Sequence, residues 1–244
     1  MRITYIDHSG FLLETEKVSF LFDYYRGEIP VMNQDNPIVV FVSHKHPDHY
    51  NPEIFHLVHK YPHIHYVLSK DVPVKWQMIK YKEEGIDPEE HITVVRKNTT
   101  QTLSLFNGEA LEITALKSTD EGVAYLLSCS GHTYYHAGDL NLWLWEGETK
   151  QYNENMARAY YRELEKLKGL KIDVAFVPLD ARQGKDAFCG MESFMEYTES
   201  NLVFPMHFWG EYEIIDRFLK KHPEFESQIQ KLQTTGQSMF FDCK

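Results

Sequence analysis

Apolar and polar positions divide the chain into short strands and amphipathic helices. Runs rich in β-branched and aromatic residues predict strands, at Arg2–Ile6, Phe11–Glu14, Val18–Asp23, Ile38–Ser43, His65–Leu68, Ile92–Val95, Thr102–Phe106, Leu111–Leu116, Val123–Ser128, His132–His136, Val174–Leu179, Leu202–Met206 and Ser238–Asp242. Apolar positions at helical spacing predict helices, at Pro52–Lys60, Val74–Tyr81, Asn153–Leu167, Met191–Ser200, Tyr212–Lys221 and Pro223–Lys231. Strands followed by strand–helix alternation occur twice, which predicts two βα halves packed sheet against sheet with helices outside.

Composition places the chain among ordinary globular proteins. It has 244 residues, of which 43% are hydrophobic and 25% charged, and no Pro/Ser-rich linker interrupts it. We therefore expect one domain over residues 1–244. The net charge of −11 argues against broad binding to nucleic acid or to an anionic membrane, because phosphate neutralisation needs surplus Lys and Arg. A small molecule is the expected partner, and the sequence indicates no oligomeric state.

The start of the chain lacks the basic and long apolar segments of a signal peptide. The strongest apolar stretch, Ile38–Val42, is far shorter than the roughly 20 residues needed to span a bilayer. A cytoplasmic protein is the expectation.

The strongest chemical signal is the segment SHKHPDH at residues 43–49, directly after the predicted strand Ile38–Ser43. His44 and His46 stand at i and i+2, so on an extended segment their side chains face the same way. Asp48 and His49 then approach from the following turn. Three imidazoles and a carboxylate this close together predict a metal site, with zinc the default ion and manganese or iron possible.

The motif H-x-H-x-D-H after an apolar strand resembles the signature of the metallo-β-lactamase superfamily. The opening IDHSGFLLE and the later FDY are similar to the L-ascorbate-6-phosphate lactonase-like subgroup. This resemblance covers essentially the whole chain. It implies a four-layer αββα sandwich and a metal-dependent hydrolase holding one or two ions.

The resemblance also implies where the other site residues lie. Asp139, in the Gly138-Asp139 pair after a strand, would bridge two metals, and His207 would be the last ligand. Asp23, at the end of an early strand, would support the ligand loop. The implied metal set is therefore His44, His46, Asp48, His49, Asp139 and His207.

One position departs from that pattern. The family usually has a further His a few residues before a Gly, whereas residues 117–122 read KSTDEG and no His lies between His91 and His132. Three outcomes are open: Asp120 substitutes as an oxygen ligand, water completes a weak site, or one metal binds. His8 could line the site or be a turn residue, and His136 could point into the cleft.

A metal ion lowers the pKa of bound water to about 7, so a metal-bound hydroxide can attack an ester, lactone or similar bond. Asp48 or Asp139 would orient the nucleophile and move protons. The subgroup resemblance favours a small anionic substrate. The alternatives are a phosphodiesterase or nuclease of the same fold, and a non-catalytic metal-binding protein in view of the missing His.

Overall fold

The computed structural model describes residues 1–242. Its strands are β1 (Arg2–Asp7), β2 (Gly10–Glu14), β3 (Ser19–Phe22), β4 (Ile38–Val42), β5 (Ile64–Ser69), β6 (Ile92–Val95), β7 (Thr99–Ser104), β8 (Ala110–Lys117), β9 (Val123–Cys129), β10 (His132–His136), β11 (Lys171–Pro178), β12 (Glu199–Met206) and β13 (Ser238–Phe240). Its α-helices are α1 (Lys75–Glu83), α2 (Pro88–His91), α3 (Lys150–Leu164), α4 (Cys189–Tyr197) and α5 (Glu213–Lys221). Four 3₁₀ segments complete the regular structure, at Pro52–His59, Glu165–Leu167, Ala181–Asp186 and Pro223–Phe225.

The strands form two sheets of related design. The first has the order β13-β1-β2-β3-β4-β5-β6, and the second β12-β11-β10-β9-β8-β7. In the first sheet β3 to β6 run parallel, and in the second β10 to β12 do. The remaining neighbours are antiparallel. Each half therefore joins an antiparallel meander to a parallel βα segment.

Aromatic side chains fill the space between the sheets. Phe11 of β2 lies 4.4 Å from Phe176 of β11, and Phe41 of β4 lies 5.0 Å from Tyr125 of β9, measured between ring centroids. The buried faces of α3, α4 and α5 continue this core on the outside of the second sheet. A separate cluster packs the outer face of the first sheet against the Pro52–His59 segment and Tyr81 of α1. The predicted arrangement of helix, sheet, sheet and helix is confirmed.

The structure differs from the sequence prediction at Pro223–Lys231, where a helix was predicted. The helical segment ends at Phe225, because the following residues pair with the edge strand β12. Val203 N donates to Gln228 O at 2.9 Å, and Gln230 N donates to Val203 O at 2.8 Å. Pro52–His59 is a 3₁₀ segment rather than an α-helix, and α2 was not predicted.

None of the described helices has both the length and the apolar composition needed to cross a membrane.

Candidate metal centre

The His-rich loop after β4 is fixed by Asp23, which follows the neighbouring parallel strand β3. Ser43 N donates to Asp23 Oδ1 at 2.7 Å, and Ser43 Oγ donates to Asp23 Oδ2 at 2.6 Å. Asp23 is fully buried and has a left-handed backbone with φ +39°. Because the carboxyl ends of parallel strands lie at the same edge of a sheet, Asp23 after β3 can bond to the loop that follows β4. The structure thus gives Asp23 the supporting position implied by the resemblance.

Three buried imidazoles have their Nδ1 atoms occupied by acceptors in the protein. The pairs are His44 with Ser43 Oγ at 2.9 Å, His49 with Asp23 Oδ2 at 2.7 Å and His207 with Asp180 Oδ2 at 2.9 Å. A proton on Nδ1 leaves the lone pair of the neutral ring on Nε2. In each ring, Nε2 is the atom that approaches the carboxylate of Asp139. Outer carboxylates commonly orient metal-binding histidines in this way.

Asp139 connects two groups of possible ligands. Its Oδ1 lies 3.1 Å from His49 Nε2 and 3.5 Å from His207 Nε2, while its Oδ2 lies 3.3 Å from His44 Nε2. Within each group, the ligand atoms lie within 4.8 Å of one another. We call them the His49 group (His8, Asp48, His49 and His207) and the His44 group (His44, His46 and Asp139). One carboxylate oxygen therefore faces each group.

The charges of the cluster are strongly coupled. Burial alone would raise the pKa of Asp139, but the surrounding imidazoles lower it well below its usual range. Burial alone would lower the pKa of His49, but Asp139 and Asp23 raise it well above its usual range. Without a cation, a proton on His49 balances the buried carboxylates. A metal ion can replace that proton, so metal binding should release protons.

Unpartnered polar atoms provide a test of whether these residues fit a metal ion. Within residues 1–242, eight buried side-chain nitrogen and oxygen atoms have no hydrogen-bond partner. Four of the eight belong to the two groups: both ring nitrogens of His8, together with His49 Nε2 and Asp139 Oδ1, which face each other at 3.1 Å without the geometry of a hydrogen bond. Buried polar atoms are normally paired, because leaving one unpaired costs about 1–3 kcal/mol. Imidazole and carboxylate donors around such atoms fit zinc, manganese or iron.

Of the two further histidines predicted near the site, His8 lies among the possible ligands and His136 does not. His8 joins the His49 group, and its Nε2 lies 3.4 Å from Asp48 Oδ2. His136 is buried but has both ring nitrogens engaged, since Nε2 contacts Ser9 O at 3.0 Å and Nδ1 accepts from Gly138 N at 3.1 Å. His136 therefore supports two loops and offers no free lone pair.

The segment that lacks the expected His approaches the site without supplying a replacement ligand. Asp120 is exposed, and neither group contains it. Its neighbour Thr119 bonds to the loop that carries Asp139, because its Oγ1 donates to Asn141 O at 2.6 Å and accepts from Asn141 N at 3.0 Å. The His44 group therefore has three protein ligands among the described residues.

A small cleft of about 160 Å³ opens onto the cluster. Trp143 and Trp145 form one wall, with parallel rings whose centroids lie 6.1 Å apart. Arg182 and Tyr152 line the cleft as well, together with Asp139. A larger cavity of about 520 Å³ lies at Ser69–Asp71 and Arg96, but it includes no member of either group. The smaller cleft is therefore the one relevant to chemistry at the metal groups.

Sequence reasoning missed Asp180, which follows β11 and is fully buried. It receives the Nδ1 proton of His207 and pairs with the guanidinium of Arg182 through Nε at 2.9 Å. Burial would raise its pKa, but His207 and Arg182 lower it to about 2. An acidic residue directly after a predicted buried strand was the available signal, as it was for Asp23.

Comparisons with known proteins agree with this fold. A curated protein from Opitutus terrae, named a UPF0173 metal-dependent hydrolase, is 28% identical over 218 residues, which are 85% of each chain. The structure of Igni18, a metallo hydrolase from Ignicoccus hospitalis, matches with a TM-score of 0.62 at 14% identity over 100% of this chain and 99% of that one. CmlA, a diiron β-hydroxylase from Streptomyces venezuelae, matches with a TM-score of 0.59 at 12% identity over 98% of this chain and 54% of that one.

At such low identities the structural matches show the fold alone. The family model for the β-lactamase superfamily domain matches residues 2–155, more than half of the chain. This segment contains β1 to β10 and every possible ligand except His207. From the family match, the two-sheet fold and the residues gathered after β4, the chain belongs to the metallo-β-lactamase superfamily.

Proposed function

We propose that this protein is a metal-dependent hydrolase of a small anionic ester or lactone. The observation that carries the proposal is the position of Asp139, whose two oxygens face two ligand groups at 3.1–3.5 Å. The name of the Opitutus terrae relative, a metal-dependent hydrolase, supports the same reaction class. Lactone hydrolysis rests on the resemblance of the opening segment to the lactonase-like subgroup.

Zinc is the ion that we propose, in one or two copies. Asp48, His49 and His207 would hold one ion, and His44, His46 and Asp139 the other, with Asp139 shared. When bound, such an ion supplies Lewis acidity and acidifies water at the floor of the cleft. The likeness to CmlA, whose name describes a diiron enzyme, keeps iron as the principal alternative metal.

Asp48 is the carboxylate that we propose to orient the attacking water and accept its proton. Its side chain is 21% exposed, whereas that of Asp139 is 6% exposed, so Asp48 is the more accessible of the two carboxylates to water. Burial would raise its pKa, but His8 and His49 lower it below its usual range. The carboxylate is therefore ionised at neutral pH and can accept a hydrogen bond from water.

The cleft supports a substrate that is both small and anionic. The indole wall of Trp143 and Trp145 offers a flat apolar surface. Arg182 donates hydrogen bonds from Nε and Nη2 to the carboxylate of Asp180, while its Nη1 has no hydrogen-bond partner within residues 1–242. A guanidinium with a free edge is well suited to a carboxylate or phosphate. The cleft volume of about 160 Å³ matches the size of a small molecule.

Two other functions remain as alternatives. A phosphodiesterase or nuclease would use the same groups, but the net charge of −11 opposes a polyanionic substrate. A non-catalytic metal-binding protein is favoured by the three-ligand His44 group. The cytoplasmic location, the single domain and the small-molecule partner stay predictions from the sequence.

Metal analysis followed by hydrolysis assays tests the proposal. The purified chain should contain zinc or another transition metal and hydrolyse small lactones or aryl esters that carry an anionic group. Asp139→Asn should lose at least about a hundredfold in kcat/KM, the scale on which removing a key group acts, while Asp173→Asn at the surface should not. Bis-p-nitrophenyl phosphate and RNA test the phosphodiesterase alternative. A metal-loaded chain that hydrolyses none of these would support the non-catalytic alternative.

A further inference from the structure

His8 has a backbone and an environment that packing alone does not account for. It lies in the tight turn between β1 and β2 with φ +54°, a conformation that costs energy for a residue other than glycine. Its side chain is 1% exposed, and neither ring nitrogen has a hydrogen-bond partner within residues 1–242. A buried imidazole with two unpaired nitrogens is unfavourable unless something else binds to it.

The ring of His8 faces the ligand atoms of the His49 group. Nε2 lies 3.4 Å from Asp48 Oδ2 without the geometry of a hydrogen bond. The ring centroid lies 4.2 Å from that of His207 and 5.6 Å from that of His49. Three nitrogens and one oxygen, within 4.8 Å of one another, therefore surround one point.

The surrounding residues fix His8 in this orientation. Its backbone N donates to Tyr5 Oη at 2.9 Å, and its carbonyl accepts from His207 N at 3.3 Å. Trp209 packs on the outer side of the imidazole with ring centroids 4.3 Å apart. His207 and Trp209 also have positive φ, at +64° and +53°. Two strained turns thus meet, and their contact directs both imidazoles toward Asp48.

We propose that His8 is a protein ligand to the metal of the His49 group. This inference rests on the proposed metal centre. With His8, the His49 group has three imidazoles and a carboxylate, while the His44 group has only two imidazoles and one oxygen of Asp139. The His44 group thus lacks the nitrogen ligand expected from residues 117–122, while the His49 group gains a nitrogen ligand from His8. The first ion binds at the His49 group, and the second binds more weakly at the His44 group.

Unlike the other two imidazoles of the His49 group, His8 has no carboxylate within residues 1–242 that fixes its Nδ1 atom. The Nδ1 atoms of His49 and His207 are fixed by Asp23 and Asp180, but that of His8 has no such partner. Even the loss of an outer group that orients a ligand weakens metal binding about 10–100-fold. We therefore expect removal of His8 to weaken binding of the first ion about tenfold or more.

His8→Asn is the appropriate variant, because Asn tolerates a left-handed backbone while its short side chain removes the imidazole. His65→Asn is the matched control, since the ring nitrogens of His65 contact Glu90 O and Thr93 Oγ1 and neither ligand group contains His65. Metal-free protein of each form is titrated with Zn²⁺ by calorimetry against a competing chelator. Co²⁺-loaded protein is measured by visible absorption, and X-ray absorption counts the imidazoles around zinc at one ion per chain.

The expected result is about tenfold or weaker binding of the first ion by His8→Asn, with one imidazole fewer, and unchanged values for His65→Asn. Wild-type affinity and imidazole count in His8→Asn would overturn the inference and leave the metal centre intact. Weaker binding with an unchanged imidazole count would also overturn it, because His8 would then act through packing. Absence of binding in the wild type would instead contradict the proposed function itself.

A measurement on the wild type covers the case in which His8→Asn does not fold. In a chain with ¹⁵N-labelled histidine, addition of one equivalent of Zn²⁺ should shift one ring nitrogen of His8 together with those of His49 and His207. A His8 ring that keeps its metal-free nitrogen frequencies while the other two shift would overturn the inference.

Discussion

Asp180 determines how the ring of His207 is presented to the cleft. Its Oδ2 accepts the Nδ1 proton of His207 at 2.9 Å, and its Oδ1 accepts from Arg182 N at 2.9 Å. Asp180→Asn keeps an oxygen for the backbone bond but removes the charge. We expect metal affinity to fall about 10–100-fold, measured by Zn²⁺ competition. Asp173→Asn serves as control, and an unchanged affinity in Asp180→Asn would show that the charge does not support His207.

Gly122 lets the loop before β9 approach the His-rich loop. It has φ +71°, and a Cβ at this position would lie 2.0 Å from Ser43 O and 2.5 Å from His44 Cβ. Gly122→Ala should destabilise the fold by about 2–4 kcal/mol, since both strain and a clash with backbone act together. Gly169→Ala is the control, because Gly169 has φ +68° with nothing within 4 Å.

The two glycine variants are compared by urea denaturation. Gly169→Ala should cost about 1–2 kcal/mol, from the backbone conformation alone. Equal losses in the two variants would contradict the argument that close packing on Ser43 and His44 requires glycine at position 122.

The site residues that the sequence predicted most directly are those that lie close together along the chain. His44, His46, Asp48 and His49 lie within six positions, so their proximity follows from the chain itself. The pairing of His207 with Asp180 spans 27 positions and depends on β11 and β12 being neighbours. The turn conformation that aims His8 at Asp48 is likewise set by contacts with a distant loop, and no sequence spacing encodes it.

Among the elements, β9 connects the two sheets at a point next to the metal loop. Tyr125 Oη donates to Val42 O at 2.8 Å, directly before Ser43 and His44. Tyr125→Phe should cost about 1–2 kcal/mol by leaving a buried carbonyl with fewer partners, and it should also weaken metal binding. Tyr160→Phe removes a similar buried bond, to Gly190 O at 2.8 Å, in the outer layer.

Denaturation and Zn²⁺ titration of both tyrosine variants separate the two effects. We expect similar losses of stability, with weaker metal binding only in Tyr125→Phe. Equal metal affinities in the two variants would mean that the bond to Val42 stabilises the fold without positioning the loop.

The pairing of β5 with β6 should make stability depend on pH. Burial lowers the pKa of His65 from 6.5 to about 4, and its ring contacts Glu90 O at 3.0 Å and Thr93 Oγ1 at 2.8 Å. The unfolded chain binds a proton below pH 6.5 while the folded chain resists it until about pH 4. Stability should therefore fall as the pH drops through this window.

Because His65 is partly exposed, we expect it to contribute about 1–2 kcal/mol to that fall. His65→Gln should lose correspondingly less stability between pH 7 and pH 4.5, measured by urea denaturation with metal removed. A variant with the same slope as the wild type would show that other groups cause the dependence.

The elements themselves were predictable wherever local pattern and tertiary contacts agree. The apolar run of β4 and the Asn107-Gly108 turn between β7 and β8 are local signals, and the structure follows them. The apolar spacing within Pro223–Lys231 is equally local, yet the edge of β12 draws Gln228 and Gln230 into extended pairing. Hydrogen bonds offered by an open sheet edge outweigh a weak helical preference.

For the molecule as a whole, folding and metal binding should be linked. The two ligand groups come from β1–β2, the loop after β4, the loop after β10 and the loop after β12, so only the folded chain assembles them. A ligand that binds only the folded state stabilises it by about 2.7 kcal/mol at 100 times its Kd. For a chain of this size, that corresponds to a rise in Tm of about 5–10 °C.

Differential scanning calorimetry of the metal-free chain with and without Zn²⁺ measures this linkage. Because Asp139 faces both groups, Asp139→Asn should reduce the rise in Tm more than His46→Asn, which removes a ligand from the His44 group alone. When no metal is present, Asp139→Asn should melt below the wild type, because it removes the charge that pairs with His49, whereas His46→Asn should melt close to the wild type. Identical melting of the wild type with and without Zn²⁺ would mean that the unpaired atoms of His8, His49 and Asp139 are not satisfied by a metal.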